Sequence, residues 1–271
     1  MDNTIQLTIS SVSQAEQEIL IALLSSQGFE GFEQQADSLI ACIRQSEFDR
    51  NKIEQLIKPP ASIQIEVLEP RNWNEVWEQS FEPVLIGNFC GIRAQFHKPL
   101  NEVQHEIVIT PKMSFGTGHH ATTYQVIDMM SSLDLEGKSV LDFGTGTGVL
   151  AILASKLGAA NVVAIDNDEW SVENASENIL FNAGNHIDLQ RADTVPSQLK
   201  FDVILANLNK HVILTHLASV AAALDEKGGV VIFSGLLIGD REEVIKAALK
   251  NGMTLVTESM KDNWIALKMS I

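Results

Sequence analysis

From about Ser139 to the end of the chain, apolar strand-like segments alternate with amphipathic helix-like segments. The segments KSVLDF, NVVAID, FDVILAN and GGVVIFSG are almost continuously apolar, as strands buried on both faces are. Two further strand-like segments, TLVTESM and WIALKMS, close the chain as a terminal pair. This alternation predicts a parallel sheet covered by helices on both faces, with ligands at the carboxyl ends of its strands.

A glycine-rich turn, VLDFGTGTG, places Gly144, Gly146 and Gly148 directly after a strand and at the start of a helix. Glycines let the backbone turn sharply and approach a ligand, which the helix N-terminus then faces. A dinucleotide fingerprint requires a third glycine where this chain has Val149. Asp166 ends the next strand, where a carboxylate can accept hydrogen bonds from both hydroxyls of a ribose. The pattern favours a nucleoside site over a purely structural turn.

Residues 1–69 show a different pattern, in the order strand, helix, strand, strand, helix, strand. This order predicts a ferredoxin-like α+β unit. We expect the first helix, over 13–26, to place Ile19, Leu20, Leu23 and Leu24 on one face, and Ser46 to cap a second helix over 47–57. The predicted fold class is therefore α/β, a Rossmann-like doubly wound sheet preceded by a small ferredoxin-like domain.

The segment 70–99 separates these two patterns and is predicted to be a linker that contains a helix. In NWNEVWEQSFEP, Trp73, Trp77 and Phe81 recur every fourth residue and share one helical face. An aromatic stripe at this spacing favours packing over ligand binding. The predicted organisation is thus a domain over 1–69, a linker over 70–99 and a catalytic domain over 100–271.

Composition excludes several classes of protein. The 271 residues carry a formal net charge of −16, which argues against direct nucleic-acid binding, since such binders present a basic face. The start MDNTIQLTIS lacks the features of a signal sequence, and no apolar run approaches the roughly 20 residues of a membrane span. The two cysteines, Cys42 and Cys90, are too few for a disulfide framework. We expect a cytoplasmic protein with no membrane contact; the sequence carries no signal for its oligomeric state.

Five motifs, PKMSFGTGHHATT, VLDFGTGTG, AIDND, ILANLN and NWNEVWEQSFEP, occur together along the chain. The glycine turn and the acidic strand end resemble the class I S-adenosylmethionine-dependent methyltransferases. The full set resembles the ribosomal protein L11 methyltransferase family over essentially the whole chain. FGTGHHATT and ANLN carry this resemblance most specifically.

The resemblance implies a function and a set of site residues. It implies that methyl groups pass from S-adenosyl-L-methionine to the N-terminal α-amine and lysine side chains of a large-subunit ribosomal protein. His120 and Thr123 would then lie near the methionine part of the cofactor, while Asn207 would contact the cofactor and orient the amine. The resemblance gives Asp193 a contact with the adenine edge. A plain helix cap for Thr123 and solvated or structural roles for Asp193 and Asn207 remain open, and no metal site is indicated.

Other functions fit parts of the sequence. A methyltransferase acting on another protein, a small molecule or RNA would use the same cofactor site. A nicotinamide-dependent dehydrogenase is disfavoured by the missing third glycine, and a non-enzymatic module by the presence of Gly144, Gly146, Asp166 and Asn207. Residues 1–69 hold 11 acidic and 4 basic side chains, a net charge of −7, as a domain that recruits a basic protein substrate would.

Overall fold

The chain divides into two compact units, Met1–Ser80 and Phe81–Ile271. The computed structural model describes residues 3–57, 59–68, 81–112, 114–184 and 186–271. The linker helix with Trp73 and Trp77, and the boundary expected at residue 69, fall in the segment 69–80, outside the described residues. Each unit has a hydrophobic core of its own.

The first unit has the predicted order of helices and strands. Its elements are β1 (Thr4–Ser10), α1 (Gln14–Ser25), β2 (Glu30–Gln34), β3 (Ser38–Arg44), α2 (Arg50–Leu56) and β4 (Ser62–Leu68). The strands form an antiparallel sheet in the order β2-β3-β1-β4, and alternate residues Ile5, Leu7 and Ile9 of β1 are buried. This topology confirms the ferredoxin-like prediction.

Two details of the first unit differ from the sequence prediction. Leu24 is buried, but Ile19 and Leu23 are 61% and 40% exposed. The buried stripe of α1 runs from Gln17 to Leu24 instead, because the Gln17 amide donates hydrogen bonds to two backbone carbonyls beneath the helix. The second helix begins later than predicted, and Asp49 rather than Ser46 caps it, because a short 3₁₀ turn over 45–47 comes first.

The second unit contains two sheets and five helices among the described residues. Its elements are β5 (Val84–Ile86), β6 (Cys90–Ala94), β7 (His105–Ile109), α3 (Ala121–Met130), β8 (Ser139–Phe143), α4 (Val149–Lys156), β9 (Asn161–Asp166), α5 (Glu169–Phe181), β10 (Ile187–Arg191), β11 (Val203–Asn207), α6 (Lys210–Ala223), β12 (Val230–Leu237), α7 (Arg241–Lys250), β13 (Thr254–Lys261) and β14 (Trp264–Ser270). No helix in the described ranges is long and apolar enough to cross a bilayer.

The large sheet has seven strands in the order β10-β9-β8-β11-β12-β14-β13. The first five strands are parallel to one another. The strand β14 pairs antiparallel with β12, and β13 pairs antiparallel with β14. This arrangement confirms the predicted doubly wound α/β sheet. The chain order reverses between β8 and β11, which places Gly144 and Asn207 beside each other at the switch point where ligands bind in such sheets.

A ladder of asparagines joins the small sheet β5-β6-β7 to the glycine turn. Asn182, next to the end of α5, exchanges hydrogen bonds with both backbone groups of Val108, and Asn178 on α5 accepts one from the Thr110 amide. The Asn178 amide also donates to the carbonyl of Thr147 within the turn, at 2.8 Å. These side chains satisfy backbone groups at the end of β7, and they fix α5 beside the glycine turn.

Candidate active site

A cavity of about 620 Å³ opens at the carboxyl ends of β8, β9, β11 and β12. Five of the six site residues predicted from sequence line it: His120, Gly144, Gly146, Asp166 and Asn207. Thr123, the sixth, is buried and lies directly behind Asn207. The cavity wall also includes residues that the sequence did not single out, among them Phe115, Leu208, His216, Gly235 and Trp264.

The glycine turn is shaped by contacts that leave no room for side chains. Gly144, Gly146 and Gly148 have φ values of +76°, +55° and +81°, in the region that favours glycine. A Cβ on Gly146 would overlap the carbonyl oxygen of Phe115, and one on Gly144 would overlap the Leu208 side chain. The turn therefore requires glycine for both its backbone conformation and its close packing.

Asp142 supports the turn from below. It is fully buried, and its Oδ2 accepts hydrogen bonds from the Thr145 hydroxyl at 2.6 Å and from the Ala151 amide at 3.1 Å. Its Oδ1 has no partner among the described residues. Burial raises the pKa of the Asp142 carboxyl to about 7, and the nearby charge of Asp166 also raises it, whereas the two hydrogen bonds oppose the rise.

Asp166 is held at the edge of the cavity by two backbone amides. Gly146 donates to Oδ2 at 2.9 Å and Asp168 donates to Oδ1 at 3.0 Å. A carboxylate has about four lone-pair sites, so each oxygen keeps capacity to accept a further hydrogen bond from a ligand. Exposed Asp193, after β10, lines the same cavity, a position compatible with either role considered for it.

The loop before α3 brings a histidine rather than a threonine to the helix start. Nδ1 of His120 accepts a hydrogen bond from the Thr122 amide at 3.4 Å and lies 2.8 Å from its hydroxyl, so His120 is the N-cap. The cap role that the sequence left open for Thr123 is therefore excluded. Both threonines lie inside the first turn, which frees the Thr123 hydroxyl for a contact elsewhere.

That contact is with Asn207. The Asn207 Nδ2 donates to Thr123 Oγ1 at 3.1 Å, which ties the Asn207 side chain to the first turn of α3. Its Oδ1 is buried and has no partner among the described residues, although Asn207 lines the cavity. A buried acceptor without a partner is costly, so this oxygen is prepared for a donor supplied by a ligand.

The missed residues share a reason for being missed. Leu208 is fixed by contacts with Gly144 and Gly235, which lie about ninety residues apart in the chain. Trp264 reaches the cavity because the β13–β14 hairpin folds back along β12, where Trp264 is paired with Leu237. Only the loop position of Phe115, inside the FGTGHHATT motif, carried a usable local signal.

Comparison with known proteins identifies the family. The sequence profile described as ribosomal protein L11 methyltransferase (PrmA) matches residues 5–271. The chain belongs to this family. The ribosomal protein L11 methyltransferase of Phocaeicola vulgatus is 37% identical over 273 residues, which is 97% of this chain and 97% of that protein. The corresponding protein of Chlorobaculum parvum is 36% identical over 263 residues, or 92% of this chain and 90% of its own length.

A solved structure is similar over more than two thirds of the chain. The crystal structure of ribosomal protein L11 methylase from Lactobacillus delbrueckii subsp. bulgaricus matches with a TM-score of 0.65 at 29% identity, covering 70% of this chain and 98% of that one. The resemblance to the ribosomal protein L11 methyltransferase family is thereby confirmed. As a member, the chain is a protein methyltransferase with S-adenosylmethionine as its cofactor, which excludes the dehydrogenase and the non-enzymatic module.

The residues present fit this cofactor. The glycine turn gives a backbone surface without Cβ atoms, Asp166 retains acceptor capacity for ribose hydroxyls, and the Asn207 oxygen lacks a donor. Aromatic rings line the same cavity, among them those of His120 and Trp264. These groups are the polar acceptors and apolar walls that a nucleoside carrying a positively charged sulfonium requires.

Proposed function

We propose that this protein methylates amines of ribosomal protein L11, both the N-terminal α-amine and lysine side chains. The observation that carries the proposal is the Asn207 Oδ1, a buried acceptor without a partner among the described residues, at the sheet switch point. A neutral amine has N–H donors for this oxygen and a lone pair for the methyl group. An amide oxygen suits this task because, unlike a carboxylate, it does not stabilise the protonated amine by a full charge.

The amine must lose its proton before it reacts. An α-amine has a pKa of about 7.7–8.0 and is about half neutral near pH 8, whereas a lysine at about 10.4 is charged. Transfer of the lysine ammonium into an apolar cavity lowers its pKa and releases the proton to water. The mechanism therefore needs orientation and desolvation rather than a dedicated general base.

The chain's own residues divide the remaining work. The cofactor supplies a methyl group on a sulfonium, whose S–C bond electrons remain on sulfur after transfer. Gly144, Gly146 and Asp166 would hold the nucleoside, while His120 would contact the methionine part. Thr123 would act through Asn207 by fixing its amide, so that the oxygen faces the amine. Placement of the two reactants in line accounts for the acceleration.

We further propose that the ferredoxin-like unit binds the substrate protein. Glu30 and Glu33 of β2 and Glu66 of β4 are exposed, and all lie on the sheet face opposite the buried Leu7. Such a face attracts a basic partner and accelerates its association, an effect that salt screens. Changing all three glutamates to Gln should raise KM for L11 several-fold and reduce the salt dependence of binding, with cofactor affinity unchanged.

A matched control separates a local effect from a general loss of charge. It removes the same three charges elsewhere, as Glu18→Gln, Glu102→Gln and Glu226→Gln, all at exposed positions. An equal rise in KM for this control would contradict a docking role for the acidic face. The expectation of no direct nucleic-acid contact is tested with the same proteins, by comparing labelled methyl transfer to purified L11 and to purified ribosomal RNA.

A further inference from the structure

Three aromatic rings form a row along one wall of the cavity. The His120 ring lies 5.2 Å from the Phe115 ring and 4.6 Å from the Trp264 ring, measured between centroids. Both pairs are edge-to-face, with interplanar angles of 61° and 70°. All three residues line the same cavity as Asn207. Together, Phe115, His120 and Trp264 make up the aromatic wall.

Trp264 is held in the aromatic wall by a buried side chain. The Gln125 Nε2 on α3 donates to the Trp264 carbonyl at 3.3 Å and to the Ser259 carbonyl at 2.8 Å, so it bridges both strands of the terminal hairpin. The same helix provides Thr123, which orients Asn207. One helix therefore fixes both the aromatic wall and the buried acceptor.

The two features differ in what they offer an amine as methylation proceeds. A neutral primary amine has two N–H donors for Asn207 Oδ1, a monomethyl amine has one, and a dimethyl amine has none. The acceptor can thus orient an amine for a first and a second transfer but not for a third. An aromatic ring gains contacts instead, because it stabilises N-methyl groups and the positive charge that develops on nitrogen.

We propose that Trp264 determines how many methyl groups an amine receives, by holding the dimethyl amine that Asn207 no longer orients. This inference rests on the proposed function. In each round the amine lone pair forms the new N–C bond, the S–C bond breaks, and its electron pair stays on sulfur. Before the second and third rounds the nitrogen loses one proton to water. The trimethyl product keeps its charge and has no proton to lose, so it ends the series.

The first test is the distribution of products on ribosomal protein L11, resolved by intact-mass and peptide analysis. Wild-type protein should proceed to trimethyl amines. Trp264→Ala should accumulate dimethyl amines, with the third transfer slowed about tenfold or more and the first two changed much less, as loss of one cation–π contact predicts. Trp264→Phe keeps an aromatic ring and should restore the third transfer. Trp170→Ala removes a tryptophan that is 77% exposed and lies outside this wall, and should behave as wild type.

The second test needs no turnover. Binding of a trimethyllysine peptide to the full chain should shift its N-methyl proton resonances upfield through the ring current of Trp264. Trp264→Ala should abolish this shift and weaken binding of the trimethyl peptide more than that of the unmethylated peptide. Thermal melts of both variants establish that they are folded.

The outcomes separate the two proposals. An unchanged product distribution in folded Trp264→Ala, or an unchanged N-methyl shift, would overturn the role of Trp264 while leaving amine methylation intact. Failure of wild-type protein to methylate L11 at all would instead refute the proposed function. Equal slowing of all three transfers would also overturn the inference, since it would make Trp264 a residue for general amine binding.

Discussion

The Asn207 amide donates to the Thr123 hydroxyl at 3.1 Å, and this hydrogen bond occupies the amide nitrogen. With the nitrogen used, the buried oxygen is left for a ligand. The bond joins the end of β11 to the first turn of α3, two elements separated by more than eighty residues. Thr123 thus belongs to the site although it does not line the cavity.

Thr123→Val should lower kcat about fivefold with little effect on cofactor affinity. Valine has nearly the same shape but no hydroxyl, so the Asn207 amide loses the partner that fixes it, and one hydrogen bond contributes about 1 kcal/mol. Thr123→Ser keeps the hydroxyl and should retain most of the activity. Steady-state kinetics on L11 give the comparison, and equal loss in both variants would assign Thr123 a packing role only.

Gly146→Ala should abolish measurable cofactor binding. It should also lower the free energy of unfolding by more than the cost of placing an alanine at this positive φ. An alanine in the left-handed region costs about 1–2 kcal/mol, and at this position its Cβ also overlaps the Phe115 carbonyl. Gly137→Ala is the matched control, because Gly137 has φ +69° but a Cβ added there would meet no atom of another segment within 4 Å. Calorimetric titration and thermal melts should show cofactor binding retained in the control only.

Asp142 should make stability depend on pH. Burial raises its folded-state pKa from 3.8 to about 7, so its contribution is fully present below pH 3.8 and is lost as pH rises through 7. The loss amounts to about 4 kcal/mol for roughly three pKa units. Asp142→Asn keeps an acceptor for Thr145 and Ala151 but does not titrate.

The Asp142→Asn variant should therefore gain stability relative to wild type as pH rises from about 4 to 7, and the gain should level off above that range. Denaturant titrations of both proteins across this pH range measure the difference in their free energies of unfolding. Contributions from other titrating groups are the same in both proteins and cancel in this difference. A difference that does not vary with pH would show that Asp142 is ionised in the folded protein throughout.

Asn178→Ala should destabilise the second unit by about 2–3 kcal/mol, because it leaves the Thr110 amide and the Thr147 carbonyl without their partner in a buried region. Since Thr147 lies in the glycine turn, cofactor affinity should fall as well. Glu177→Ala on the same helix removes only a surface ion pair with Lys112 and should cost little. Comparable losses in both variants would argue against the asparagine ladder.

Local patterns were sufficient to predict the sheet, the glycine turn and Asp166. Each depends on residues close together in sequence: the apolar runs, the turn at Gly144 and Gly146, and an acid at the next strand end. These patterns predicted a doubly wound parallel sheet, whereas the order of its strands is known from the structure alone. Family resemblance added His120, Thr123 and Asn207, which no local rule distinguishes from caps or strand ends.

The parts that sequence did not reveal depend on contacts between distant segments. Trp264 lines the cavity only because an antiparallel hairpin returns along β12. Position 235 requires glycine because the Leu208 backbone passes against it and would overlap a Cβ. Helix caps also depended on context: a 3₁₀ turn moved one cap from Ser46 to Asp49, and His120 rather than Thr123 caps α3. Competing local hydrogen bonds of this kind are not encoded by residue type alone.

The most direct test of the account is the intact mass of purified ribosomal protein L11 after incubation with S-adenosylmethionine and either wild-type protein or Asn207→Ala. Wild type should add several whole methyl groups, located by peptide mapping on the N-terminal α-amine and on lysines. Asn207→Ala, which loses the acceptor for the amine, should slow addition about a hundredfold or more, as loss of a positioning contact predicts. An unchanged L11 mass with wild type, or full methylation by Asn207→Ala, would contradict it.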